Sequence, residues 1–186
     1  MQQNWNNTVK TLAWAYLLLC FDINFGRVNL LPDAVGYMLI ADMLPHIAHR
    51  QPSARLLKNF VTILTVVTAA EWVANLFNIN IYIYLVSVFV TVIYAYTHFQ
   101  LLTNVADIAL QDNMPYHILL KRGRNAVIVS YTVAIAASNF TRNEKLIMTV
   151  VIINVICYLY TVYQLFANAA DMDDRQANNI IDNMEV

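Results

Sequence analysis

Tyr94–Asp107, YAYTHFQLLTNVAD, is written a second time sixty-four residues later as Tyr158–Asp171, YLYTVYQLFANAAD. Eight of the fourteen positions are identical, and Tyr-x-Tyr-Thr, Gln-Leu, Asn and Ala-Asp keep their spacing. Each copy closes a long apolar run. Self-similarity at a fixed period marks a chain built from a repeated unit. The reading that follows is an all-α, polytopic membrane protein of six transmembrane helices, assembled from repeated helix pairs.

Composition supports that class. Of 186 residues, 59% are hydrophobic and 12% charged, where a soluble domain carries about 25% charged residues. Apolar runs of about 20 residues suffice to cross a hydrocarbon core of about 30 Å. The formal net charge is −1, and the basic residues are spread over several loops. Nucleic-acid binding needs them gathered on one face, so no nucleic-acid partner is expected. Cys20 and Cys157 both lie in apolar runs and suggest neither a disulfide framework nor a metal site. No small-x-small cleavage pattern follows Lys10, so the first apolar segment is expected to be a retained membrane helix.

Working outward, the predicted helices are Thr8–Phe25, Pro32–Ala48, Ala54–Leu76, Ile81–Leu110, Asn125–Asn139 and a last one ending near Asp171. Ser53 is the expected cap of the third helix. Pro115–Arg122 is predicted as a short interfacial turn. Thr141 and Glu144 have capping-box spacing ahead of the sixth helix. The helix pairs are thus 8–48, 54–110 and 125–171 in one transmembrane domain, 1–171. Residues 172–186 form an acidic cytoplasmic tail expected to have little fixed structure. The loops with Arg50, Arg55 and Lys58 and with Lys121, Arg122 and Arg124 outweigh the opposite connections in basic charge, placing them and both termini in the cytoplasm. Helices 3–4 and 5–6 then share orientation, with a symmetry axis along the membrane normal. Ala41-Asp42 echoes the two Ala-Asp pairs and suggests a third, shortened copy in helices 1–2, giving a pseudo-threefold ring.

Asn29–Tyr37, NLLPDAVGY, resembles a segment of uncharacterised multi-pass membrane proteins of Gram-positive bacteria. The likeness spans the first two helices. It implies a bacterial plasma membrane and supplies no activity.

Four groups of residues could carry chemistry. The twin stripes Thr97, Gln100, Asn104, Asp107 and Thr161, Gln164, Asn168, Asp171 recur at spacings of three and four, so each lies on one helix face. Amides in lipid need partners. They either bond helices together or line a path for a solute or ion. Asp42, Asp107 and Asp171 sit at helix C-termini, where the macrodipole disfavours an anion by about 0.3–1 kcal/mol. Arg50, Arg55, Lys58, Arg122 or Arg124 at the cytoplasmic face would offset that by pairing; the alternative is a cation site, or a gate that opens when such pairs break.

At the opposite end Asp22, Asn24, Arg27, Glu71 and Asn75 gather, and Glu71 lies inside an apolar run with Arg27 as its plainest partner. A structural pair and a ligand site are both consistent with that arrangement. His98 breaks the repeat, its twin being Val162; it is either a packing histidine or a proton relay. Asp42, His46 and His49 share a helical face and are the only spacing suggestive of a divalent metal, without an evident fourth ligand.

Three glycines leave no phosphate-cradling loop and no GxxxG face, and HExxH and nucleophile-elbow motifs are absent. An enzyme is therefore not indicated, and no cofactor is expected. Two functions remain: binding or transport of a small solute or ion, alone or as the membrane subunit of a transporter, and a non-transporting regulatory or assembly subunit that docks a partner protein at the cytoplasmic face. The lipid bilayer is the one partner both require.

Overall fold

The computed structural model describes the backbone of residues 2–20, 24–25, 28–29, 33–77, 79 and 84–184. Six helices dominate: α1 (Gln2–Cys20), α2 (Asp33–Arg50), α3 (Leu57–Leu76), α4 (Tyr84–Gln111), α5 (His117–Phe140) and α6 (Glu144–Met184). Between α1 and α2, Asn24–Phe25 (β1) pairs antiparallel with Val28–Asn29 (β2). A 3-10 turn, Pro52–Leu56, leads into α3.

Each helix packs on the next in the chain, and α6 returns to α1, so the six close into a ring. Cross-contacts fix alternating directions. Trp14 meets Phe166 and Asn6 reaches Asp173, so α1 and α6 are antiparallel. Tyr37 meets His98 while Arg50 meets Asp112, so α2 and α4 run parallel.

Small residues let helix backbones approach closely. Gly36 of α2 brings its backbone so near α1 that an added Cβ would lie 2.8 Å from Leu19 Cγ and 3.1 Å from the Ala15 carbonyl. Gly123 of α5 does the same against Thr161 of α6. The buried core, including Leu12, Tyr16, Ile40, Leu101, Val105 and Leu165, lies in the half of the ring that holds the chain termini.

Toward the far end, apolar side chains such as Val66, Val92, Phe89, Ile152 and Ile156 are exposed. Helices apolar all round are buried in a large core or span a membrane. The hydroxyls of Thr62, Thr65, Thr132 and Thr149 each bond the carbonyl four residues back, which satisfies them within their own helix.

Three helical segments among the described residues are long and apolar enough to cross a membrane: Pro52–Leu76, Val86–Gln111 and Glu144–Arg175. The expectation of six is met in helix number and in span-grade hydropathy only for α3, α4 and α6. Helix α1 begins QQNWNNT, α2 carries Asp33, Asp42, two histidines and Arg50, and α5 carries Lys121, Arg122 and Arg124; these dilute the apolar windows.

Several local expectations change. Helix α5 is continuous from His117 through Gly123, with no separate interfacial turn. Ser53 caps no helix; its hydroxyl donates to Asn104 Oδ1 across to α4 at 2.8 Å. Asn143 caps α6, accepting from the Leu146 amide, while Thr141 accepts from the Asn143 amide in a local turn, so the capping box is replaced. Residues 172–184 continue α6 as helix, a backbone that the helix-forming Met, Gln and Ala of this stretch and the Asp171–Arg175 pair favour.

Candidate functional site: a polar interior around His98

Helix α4 carries the first stripe, and its face turns inward. Thr97, His98 and Asn104 are buried with Leu101, Leu102 and Val105. Antiparallel and parallel neighbours then bring four tyrosines, one each from α1, α2, α4 and α6, to the histidine, with a fifth, from α5, behind the one on α4. His98 Nδ1 lies 2.9 Å from the Tyr16 hydroxyl and Nε2 3.2 Å from the Tyr37 hydroxyl. The Tyr94 ring is 4.3 Å from the imidazole, centroid to centroid, and stacks on Tyr131 at 4.1 Å. Tyr158 stands 6.3 Å from His98 and 6.1 Å from Tyr16.

This arrangement defines a polarity. A neutral imidazole has one donor and one acceptor nitrogen. One tyrosine therefore donates to the ring while the other accepts from it, and the second keeps its own proton to pass on. Exchanging the two tautomers reverses the direction of the chain. Such a unit can hold a proton position or move one. Asp33, at the start of α2, is the carboxylate within electrostatic reach of Tyr37, Tyr131 and Tyr158.

The second stripe, on α6, is also turned inward. Thr161, Gln164 and Asn168 are buried, matching Thr97 and Asn104 on α4. Gln100 is half-buried and donates to Asn104 Oδ1 at 2.9 Å, so that oxygen accepts from both Gln100 and Ser53. Thr161 donates to the Cys157 carbonyl. The remaining polar atoms find no protein partner among the described residues: Thr97 Oγ1, Asn104 Nδ2, Tyr158 Oη, Gln164 Oε1 and both side-chain atoms of Asn168. Each such buried atom costs about 1–3 kcal/mol if left unmet. Part of the interior is thus bonded helix to helix, and part is not.

Of the three aspartates expected at helix C-termini only Asp107 lies near one, because α2 runs on to Arg50 and α6 to Met184; two of the three are paired. Asp107 pairs with Lys121 at 2.9 Å and Asp171 with Arg175 at 3.2 Å, one turn on. Arg50 instead clamps Asp112 with two bonds, 2.8 and 2.5 Å, and stacks on Trp5. Lys10 bridges to Asp173 at 2.7 Å. Asp42 is exposed and has no ion pair among the described residues.

Of the far-end group, the structure describes the side chains of Glu71 and Asn75. Both are exposed on α3. Asp22 and Arg27 lie outside the described residues, as does any Glu71–Arg27 pair; Asn24 is described only as backbone in β1. No three His, Cys, Asp or Glu gather in a metal-holding group among the described residues, so the Asp42, His46, His49 spacing does not form a centre. All three are exposed along α2.

The residues singled out from the sequence include His98 and both stripes but not Tyr16, Tyr37 and Tyr131. The Tyr-x-Tyr start of the repeat was the available signal, since its twins Tyr94 and Tyr158 both flank the histidine. Nothing local marks Tyr16 or Tyr37. No protein-family model, no curated protein and no solved structure matches the chain.

Proposed function

We propose that this is an integral, multi-pass protein of a bacterial plasma membrane that binds or transports a small polar solute or ion through its interior. Six crossings built from repeated helix pairs, with both termini cytoplasmic, are part of that proposal. One observation carries it: Asn104 on α4 and Gln164 and Asn168 on α6 are buried inside a bundle with apolar outer faces, and several of their polar atoms pair with no protein group among the described residues. Lipid offers those atoms nothing. Intramembrane polar groups of this kind usually mark a ligand or ion path.

The test is purification in native lipid followed by mass spectrometry of whatever accompanies the protein, then thermal unfolding against the candidates found. A ligand of this interior should raise the unfolding temperature of the wild type and not of Asn104→Ala or Gln164→Ala. If no candidate shifts the wild type, the solute reading fails.

A second reading is a regulatory or assembly subunit docking a partner protein at the cytoplasmic face. Arg55, Lys58 and Arg122 favour it, being exposed and without an ion pair among the described residues. Co-purification of a fixed partner, lost on replacing these three by Ala, would select it.

A further inference from the structure

Tyr158, Thr161, Gln164, Asn168 and Asp171 follow one another at intervals of three and four residues down one face of α6. From first to last they cover fourteen residues, a rise of about 20 Å at about 1.5 Å per residue. Tyr158 is 3% exposed, Gln164 4% and Asn168 0%. Tyr158 Oη, Gln164 Oε1, Asn168 Oδ1 and Asn168 Nδ2 pair with no protein group among the described residues, and Asp171 Oδ2 meets only Arg175, one turn on. Across from the lower part, α1 presents two more such atoms, Asn6 Oδ1 and Trp5 Nε1.

The column has two distinct ends. At the bottom Asp171 also lines an open surface groove of about 420 Å³ with Tyr116, Phe166, Ala170 and Asp174. At the top Tyr158 stands against Tyr16 and His98. Buried water typically bridges otherwise unsatisfied polar groups, making about three hydrogen bonds each. A row of such groups, open to solvent at one end and ending on a histidine at the other, has the form of a one-sided access path.

We propose that this face of α6 carries a file of water that delivers protons from the groove at Asp171 to the Tyr16–His98–Tyr37 chain. The proposal rests on the reading of an ion-handling interior and names the ion as the proton. In the transfer, the Tyr16 hydroxyl gives its proton to His98 Nδ1 and takes one from the water behind it. His98 releases the proton on Nε2 to the Tyr37 oxygen, whose own proton leaves toward Asp33. One proton has moved, both tyrosines are neutral again, and the imidazole has exchanged tautomer; a ring flip or the reverse passage resets it.

The ionisable groups around His98 are Tyr16 from α1, Tyr37 and Asp33 from α2, Tyr94 from α4, Tyr131 from α5 and Tyr158 from α6, with Cys20 near Tyr158. Lys58 and Glu71 of α3, which packs on α2 and α4, are exposed.

Two measurements on the full chain test this. Hydroxyl-radical footprinting in vesicles of phosphatidylcholine and phosphatidylglycerol should label Tyr158 in spite of its burial, and Asn168→Leu should suppress that label. In the same vesicles, loaded with a pH-sensitive dye and driven by a potassium diffusion potential, the wild type should pass protons above the protein-free background. His98→Gln and Tyr37→Phe, the latter removing a single oxygen, should each return the flux to background. An unlabelled Tyr158 in the wild type overturns the water file. A labelled Tyr158 with wild-type flux at background, or with flux unchanged in both variants, overturns the proton assignment. Either result leaves the solute reading to stand or fall on its own ligand measurements.

Discussion

A glycine inside a helix costs about 1 kcal/mol relative to alanine, so Gly123 in the middle of α5 needs a compensating reason. Thr161 supplies it: a Cβ on residue 123 would lie 2.9 Å from the Thr161 hydroxyl oxygen and 3.6 Å from its Cβ. Gly123→Ala is therefore expected to lower thermal stability despite its better helix propensity, by about 1–3 kcal/mol as overpacking does. With Thr161→Ala the near atom is gone and the remaining carbon sits at ordinary contact distance. In that background Gly123→Ala should be neutral or stabilising, by up to about 1 kcal/mol. Unfolding midpoints of the two single variants and the double variant, in one detergent, check the coupling. Additive effects would refute it.

Between elements, the ties that stand out lie at the end of the bundle holding the termini. Arg50 joins the last turn of α2 to Asp112 just past α4 and stacks its guanidinium over Trp5 of α1 at 5.2 Å. Both ionic side chains are about a quarter exposed, 27% and 29%. A bidentate arginine–carboxylate pair of that kind is stronger than a surface ion pair, which is worth about 0–1 kcal/mol. A double-mutant cycle over Arg50→Ala and Asp112→Ala should return a coupling of about 1–2 kcal/mol. Replacement of Arg50 by Lys should recover little of it, because an ammonium cannot fork onto the carboxylate or stack on the indole in the same way. Equal stability of the wild type and the Lys variant would show that the pair acts only as point charges.

For the whole molecule the helices divide by hydropathy. Helices α3, α4 and α6 have the length and hydropathy to cross a membrane; α1, α2 and α5 are helical, packed in the same ring and more polar. The closed ring predicts that all six cross together, since α1 and α6 could not otherwise remain antiparallel neighbours along their shared length. Single cysteines placed at Asn7, Gln51, Asn113 and Asn178, in a chain whose Cys20 and Cys157 are replaced by Ser, should react with an impermeant thiol reagent from one side of the membrane. A cysteine at Asn139 should react only from the other. Labelling of residues 51 and 113 from opposite sides would break the six-crossing arrangement and with it the shared orientation of the two hairpins.

The chain order of its amino acids settled much of this protein without reference to the fold. Its apolar runs required helices, because a backbone in lipid must satisfy itself locally. The three- and four-residue spacing put Thr97, Gln100 and Asn104 on one face, and Thr161, Gln164 and Asn168 on another. Inward burial of Asn104 and Asn168 agrees with that local geometry. What no local pattern contained is which distant residues would meet there. Tyr16 and Tyr37 reach His98 across 82 and 61 residues. Ser53 abandons a helix cap for Asn104, and Lys121 rather than Arg122 takes Asp107. Such partners depend on how helices rotate and slide against one another, which is fixed by close packing at places like Gly36 and Gly123 and by the closing of α6 onto α1. Periodicity along a helix decides the face; only the assembled ring decides what that face touches.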